Sequence, residues 1–233
     1  MKLEICANSF QSALNAQTGG ADRIELCSEL SVGGVTPSFG LLKKVKEHIN
    51  IPIHVLIRPR SGNFVYSETE FEQMKSDIEV CKEFGFEGIV SGVLHNDHTL
   101  DEVKTRELVE LSRPLSFTFH RAFDCVPDPK KSLKTLINIG VERVLTSGQK
   151  ESAIEGIELL KELKQLAGKN IIILPGGGIN ASNAKEFQAI GIQEVHASCS
   201  KEIIAAQPFY DNTSQTISDL EIIKSLVQKL KDE

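Results

Sequence analysis

Short apolar segments rich in β-branched residues recur along the chain at nearly regular intervals. Segments of this kind, bounded by turn residues, are typical of buried strands. The predicted strands cover residues 3–7, 23–26, 53–57, 88–93, 115–119, 143–146, 171–174 and 194–197. Their starts lie on average about 27 residues apart, which is close to the length of one strand-plus-helix unit of a barrel.

The segments between these strands carry apolar residues at i, i+3, i+4 and i+7, the spacing of a half-buried helix. The predicted helices cover residues 38–49, 68–84, 100–111, 129–139, 154–167, 182–190 and 220–231. Several begin at residues that commonly cap helices. The expected N-terminal signals are Ser38, Ser67 with Glu70, Asp128 before Pro129, and Asn180 or Ser182.

Strict alternation of strand and helix implies parallel pairing, which leaves a doubly wound sheet or a closed barrel. The first strand leads into Asn8-Ser9-Phe10, which lacks the GxGxxG of a dinucleotide-binding unit. No linker-like segment or change of composition divides the 233 residues. We therefore predict an α/β fold, a (β/α)₈ TIM barrel that forms a single domain over residues 1–233.

The net charge and the length of the apolar runs exclude some classes of binding partner. The net charge is −6, so a basic nucleic-acid-binding face is not expected. No apolar run reaches the ~18 residues of a membrane span. Glu4 interrupts what would be the apolar part of a secretory signal. These features predict a cytoplasmic protein without a nucleic-acid or membrane partner.

Polar residues occupy alternate positions in several predicted strands, and one choice of face points all of them into the barrel. They are Glu4, Cys6, Arg23, Glu25, Cys27, Arg58, Thr118, His120, Glu194, His196 and Ser198. Buried charges are costly unless paired, so two interpretations stay open. One is an internal ion-pair network; the other is a wet, ligand-filled mouth. The candidates for such a network are Arg23, Glu25, Arg58 and Glu194.

TIM barrels place their chemistry at the carboxyl ends of the strands. Side chains there that can transfer protons near neutral pH are candidate catalytic residues. They are Glu25, His120, Asp124 and His196.

Two features at the carboxyl ends of the strands indicate a binding site for an anion. Gly176, Gly177 and Gly178 follow the seventh strand, where barrels commonly bind phosphate, and Ser198 follows the eighth. Arg58 and Arg60 flank a proline, and paired guanidinium groups match carboxylate or phosphate. The alternatives are a tight glycine turn without a ligand and a solvated arginine pair.

The five cysteines include no CxxC motif and are expected to be free thiols in a reducing compartment. Cys81 falls in a predicted helix and is expected in the core, while Cys125 and Cys199 fall in loops. Cys6 and Cys27 share the inward face of neighbouring strands, which lie ~4.8 Å apart. Two such sulfurs can share one soft metal ion such as Cu(I).

The sequence resembles the CutC family of copper homeostasis proteins. The resemblance rests on LEICANS from Leu3, GGADRIELCSELSVGGVTPSFG from Gly19, IRPRSGNFVYSETE from Ile57, SFTFHRAFD from Ser116, RVLTSG from Arg143, LPGGGI from Leu174 and EVHAS from Glu194. It implies a cytoplasmic TIM barrel associated with copper, homo-oligomeric as a dimer or tetramer, with Cys6 and Cys27 as copper ligands. The segment LHNDHTLD from Leu94 departs from the glycine-containing turn expected there.

Two functions from different classes follow. The first is binding of Cu(I) at Cys6 and Cys27 without turnover. The second is an enzyme acting on a small phosphorylated or carboxylated metabolite, with the glycine loop, Ser198 and the arginines holding the anion. In the second case His120 or Glu25 moves the proton.

Overall fold

The computed structural model describes residues 1–204 and 214–231. The strands are β1 (Lys2–Ala7), β2 (Arg23–Leu26), β3 (Ile53–Leu56), β4 (Gly88–Ser91), β5 (Ser116–Phe119), β6 (Arg143–Thr146), β7 (Ile172–Pro175), β8 (Glu194–Ala197), β9 (Ser200–Ile204) and β10 (Gln215–Ser218). The α-helices are α1 (Phe10–Gly19), α2 (Phe39–His48), α3 (Glu68–Phe84), α4 (Glu102–Ser112), α5 (Pro129–Ile139), α6 (Ile157–Ala167), α7 (Ala184–Ala189) and α8 (Leu220–Lys231).

Strands β1 to β8 form one parallel sheet in the order β7-β6-β5-β4-β3-β2-β1-β8. The sheet curls until β7 and β8 meet at a parallel bridge between Gly176 and His196. The result is a nearly closed (β/α)₈ barrel, which confirms the predicted TIM-barrel fold.

Gly176 stands where the barrel closes. A Cβ at this position would lie 2.6 Å from Leu145 Cδ1 and 3.2 Å from His196 Cδ2. Only glycine fits there without displacing its neighbours, so this residue has a packing role in joining the two edge strands.

Local capping follows the sequence signals in three helices. Ser38 accepts the Leu41 amide, and Asp128 accepts the Lys131 amide ahead of Pro129. Ser67 and Glu70 form a complete capping box. The predicted cap of α7 at Asn180 or Ser182 is wrong: the helix begins later, after Asn183.

One helix, α1, and one pair of strands, β9 and β10, were not expected from the pattern. Helix α1 buries only small or polar residues, Ser12, Ala13, Ala16 and Gly19, so its apolar periodicity is weak. Strands β9 and β10 pair antiparallel after the eighth barrel strand.

The barrel wall separates two environments. Outside it, the apolar faces of the strands and helices form the main core. Inside it, Cys6, Cys27, Leu56 and Val90 form a smaller apolar cluster under Leu30. Within the described part of the chain, no helix has the length and apolarity needed to cross a membrane.

Candidate functional site

A cavity of about 640 Å³ opens at the carboxyl ends of the barrel strands. It collects most of the residues that the sequence marked as candidates. Those on its wall are Cys6, Glu25, Arg58, His120, Asp124, Gly177, Gly178, His196 and Ser198. We call this space the mouth cavity.

Cys6 lines the mouth cavity, and we call Cys6 and its fully buried neighbour Cys27 the thiol pair. Its sulfur atoms are 3.6 Å apart, and both residues are buried free cysteines. In the β1–β2 register Cys6 is opposite Glu25, so Cys27 reaches Cys6 along the diagonal. The sulfurs are close enough to share one ion with bonds of about 2.3 Å.

An imidazole and a carboxylate complete a donor set around Cys6. The ligand atoms of Cys6, Glu25 and His196 all lie within 4.8 Å of one another. Contact with Cys27, reinforced by burial, raises the pKa of Cys6 well above its usual value, so this sulfur carries its proton in the metal-free protein.

His196 is held as a cation by its neighbours. Its Nδ1 donates to Glu4 Oε1 at 2.8 Å and lies 4.0 Å from Glu25 Oε2. Burial alone would lower the pKa of His196, but Glu25, Cys6 and Glu4 together raise it well above its usual value. Burial also raises the pKa of Glu25 to about 7, which leaves this carboxyl ready to exchange a proton near neutral pH.

Below the mouth, an ion-pair network fills the barrel interior. Arg23 pairs with Glu4 and with Glu194, and Arg143 pairs with Glu194 at 2.9 Å. The network interpretation is therefore correct for Arg23 and Glu194. Glu4 and Arg143 also belong to it, and Glu25 is linked to Glu4 through His196, whereas Arg58 has no carboxylate partner among the described residues.

Arg58 connects the loop after β2 to the loop after β3 by hydrogen bonds. Its Nη1 donates to the carbonyls of Val32 and Gly34, and its Nη2 donates to that of Gly62. Because both terminal nitrogens are engaged by main-chain carbonyls, the bidentate grip on an anion expected from the sequence is not available.

Arg60 lies outside the lining of the mouth cavity. It pairs with Glu70, donates to nearby carbonyls including that of Val65, and stacks on the Tyr66 ring. These contacts fold the loop after β3 and do not bring Arg60 to the other candidates.

His120 begins a short 3₁₀ helix, Arg121–Cys125, at the end of β5. Its Nδ1 accepts the Ala122 amide at 3.2 Å, so the neutral ring carries its proton on Nε2. Burial, helped by the Arg58 charge, lowers the pKa of His120 to about 3. His120 is therefore a neutral hydrogen-bond donor at working pH.

Asp124 is saturated as an acceptor. Its carboxylate accepts the Thr146 hydroxyl and the amides of Ser147 and Gln149, and it pairs with Arg121. A carboxylate with this many donors shapes the loop after β6. The geometry gives it no free lone pair for the proton transfer expected from the sequence.

The glycine loop after β7 turns through left-handed conformations at Gly177 and Gly178, with φ of +110° and +76°. The Gly178 carbonyl accepts from the side chains of Asn180 and Asn183. Helix α7 behind the loop has only six residues, so it provides little dipole for an anion.

Sequence reasoning missed several residues of the mouth. Phe64 lines the cavity and contacts both the guanidinium of Arg58 and the ring of His120. Leu30 covers the thiol pair, and Thr216 reaches the cavity from β10. The aromatic residue within IRPRSGNF was a visible signal, but strand periodicity does not say where a loop side chain points.

Comparison with known families agrees with this architecture. The profile of the CutC family matches residues 1–201. The chain belongs to the CutC family.

Relatives within the CutC family are similar over most of this chain. A human protein named copper homeostasis protein cutC homolog is 49% identical over 197 residues, which is 84% of this chain and 72% of the human one. A Salmonella newport protein named family protein CutC is 48% identical over 196 residues, covering 84% and 79% of the two chains.

Solved structures give the same assignment. A CutC crystal structure from Streptococcus agalactiae aligns with a TM-score of 0.81 at 34% identity, covering 85% of this chain and 98% of that one. Thiamine phosphate pyrophosphorylase from Pyrococcus furiosus aligns with a TM-score of 0.61 at 15% identity, over 99% and 95%. The second likeness concerns the barrel fold alone.

Proposed function

We propose that this CutC-family protein binds Cu(I) as cargo at the thiol pair, with His196 as a third donor. The observation that carries the proposal is the 3.6 Å separation of two reduced, buried sulfurs on neighbouring strand ends. The name of the human relative, a copper homeostasis protein, agrees with it.

The chemistry of the donors favours a soft ion. Thiolate and imidazole ligands select Cu(I) or Zn²⁺, whereas oxygen-rich sites select harder ions. Leu30, Leu56 and Val90 surround the sulfurs with apolar groups, which exclude water from the ion. Binding must displace the proton of Cys6 and one proton of the His196 imidazolium, because only a thiolate and a neutral imidazole bind a metal ion.

The first test is a titration of the reduced, full-length protein with Cu(I) against a colorimetric Cu(I) chelator. We expect one tight equivalent in the wild type. Cys6→Ser and Cys27→Ser each remove one soft ligand, so each is expected to weaken binding by at least tenfold. The double variant is expected to lose the tight equivalent.

Cys81→Ser is the matched control, because Cys81 is a buried free cysteine of α3 that does not line the mouth cavity. It is expected to bind as the wild type does. Unchanged stoichiometry and affinity in the Cys6→Ser, Cys27→Ser double variant, with circular dichroism showing a folded chain, is the result that rules out this site.

The proposal includes the cytoplasm as location and a homo-oligomer, dimer or tetramer, as the working form. The five free cysteines support a reducing compartment. Light scattering on the eluting protein tests the assembly, since a monomer has a mass of 25.6 kDa.

A further inference from the structure

Arg58 is a buried cation without a counter-ion. It is 5% exposed, and its terminal nitrogens contact only carbonyls. Every other arginine of the chain pairs with a carboxylate. Within residues 1–204 and 214–231, Arg58 alone among the arginines lacks such a partner, and a buried unpaired charge is costly.

Several buried hydrogen-bonding groups in this region have no partner within the described part of the chain, among them the Tyr66 hydroxyl and one nitrogen each of Arg58 and His120. Arg58 Nε and His120 Nε2 are both buried and find no partner among the described residues. Both residues line the mouth cavity. Buried donors are nearly always satisfied, so a pair of unsatisfied ones on one cavity wall points to an acceptor supplied by a ligand.

Phe64 holds the two donors in place. Its ring lies 5.0 Å from the Arg58 guanidinium carbon and 4.8 Å from the centre of the His120 ring. Arg58, Phe64 and His120 therefore form one packed group, which we call the Arg58–His120 subsite. The adjoining wall is apolar, with Leu30, Leu145 and Ile179.

We propose that the Arg58–His120 subsite binds the carboxylate of a small organic acid whose apolar body lies along this wall. One carboxylate oxygen accepts from Arg58 Nε and the other from His120 Nε2. The ligand's single negative charge neutralises the buried guanidinium. The mouth cavity, at about 640 Å³, is within the usual size range of small-molecule sites.

A carboxylate fits this subsite better than a phosphate. Arg58 Nε and His120 Nε2 match the two oxygens of a carboxylate, whereas a phosphate dianion offers more oxygens and needs more positive charge. The carbonyls of Val32, Gly34 and Gly62 already occupy three of the four N–H groups on the terminal nitrogens of Arg58.

The test uses benzoate as the carboxylate probe, benzamide as its neutral isostere and inorganic phosphate as the competing anion. Binding is followed in copper-free protein by the ¹⁵N resonance of His120 Nε2 and by thermal stabilisation. Benzoate is expected to shift the His120 resonance in a saturable way at millimolar concentration. Benzamide and phosphate are expected to leave it unchanged.

His120→Asn is the diagnostic variant. Asn is a favoured helix cap and can still accept the Ala122 amide, but it has no donor at the Nε2 position. We expect benzoate to bind roughly tenfold or more weakly, the usual cost of losing a hydrogen bond to a charged group. His98→Asn is the control, because His98 lies in an exposed turn at φ +63°, which Asn tolerates.

The proposal is overturned by the absence of a saturable shift with benzoate, by equal binding of benzamide, or by wild-type affinity in His120→Asn. Stronger binding of phosphate than of benzoate also overturns the proposal, because the subsite would then prefer an anion other than a carboxylate. The titration is repeated in the Cys6→Ser, Cys27→Ser double variant, where benzoate binding is expected to persist. The experiment therefore distinguishes a failure of the proposed copper binding from a failure of the proposed carboxylate binding.

Discussion

Glu4 is the single residue on which the charges inside the barrel depend most. It is buried and pairs with both Arg23 and His196. Burial alone would raise the pKa of Glu4, but these two partners hold it well below its usual range. Neutralising this carboxylate leaves His196 without its closest anion and Arg23 with one carboxylate where it had two.

We therefore expect Glu4→Gln, a change of almost no volume, to lower the free energy of unfolding by roughly 3–5 kcal/mol. Urea denaturation followed by circular dichroism measures it. Glu162→Gln is the control, since the Lys130–Glu162 pair is exposed and screened by solvent, so its loss is expected to change the free energy of unfolding far less. Equal effects of the two substitutions contradict the role given to Glu4.

The sequence predicted which side chains face the barrel interior but not how many of their polar atoms are free. Alternation along a strand places Arg58 and His120 inside, and the structure agrees. Whether Arg58 has a donor to spare depends on where the carbonyls of Val32 and Gly34 point. Loop carbonyl directions do not follow from residue spacing, so this part of the site could not be predicted from the sequence.

At the scale of elements, the seam that closes the barrel lies between β7 and β8, the two edge strands of the sheet order. These strands meet at the Gly176–His196 bridge, where a Cβ on Gly176 would meet Leu145 and His196. Gly176→Ala is expected to lower the free energy of unfolding by about 1–3 kcal/mol, because the interior must shift to admit a methyl group.

Gly40→Ala gives the matched comparison for this seam. Gly40 lies in α2, and nothing is within 4 Å of the Cβ position. Its replacement is expected to raise the free energy of unfolding by up to about 1 kcal/mol, since alanine restricts the unfolded chain. Guanidinium denaturation of both variants measures the difference. A neutral Gly176→Ala substitution contradicts the packing role of this glycine.

The predictability of each element depended on the size of its buried residues. Helix α5 was visible from the sequence because it buries Leu133, Leu136 and Ile139 at helical spacing. Helix α1 was not, because alanine and serine carry its buried face. The β9–β10 hairpin lies beyond the repeating units, and the strand-helix alternation gave no reason to expect it.

At the scale of the whole molecule, a buried neutral histidine, His54, makes the free energy of unfolding decrease at low pH. Burial, with help from Arg23 and Arg143 and against Glu4, lowers the pKa of His54 to about 3. His54 is 3% exposed, and its ring fills the space beside Gly88. The unfolded chain takes up a proton on His54 near pH 6.5, but the folded chain takes it up only near pH 3.

The sign of the effect follows from proton counting. Between pH 6.5 and pH 3 the unfolded state binds one more proton at His54 than the folded state, so stability falls as the pH is lowered. The slope for one such group is about 1.4 kcal/mol per pH unit. His54→Gln removes this titration. The variant is expected to be less stable than the wild type at pH 7, with a gap that narrows by about 2 kcal/mol between pH 6.5 and pH 5.

Urea denaturation of both proteins at half-unit steps of pH measures this gap. Val55→Ala on the same strand is the comparison, because it truncates a buried residue without a titrating group. Its deficit relative to the wild type is expected to stay constant over the same range. A His54→Gln deficit that is equally constant contradicts a folded state that excludes the proton, and the acid sensitivity of the barrel must then come from its carboxylates.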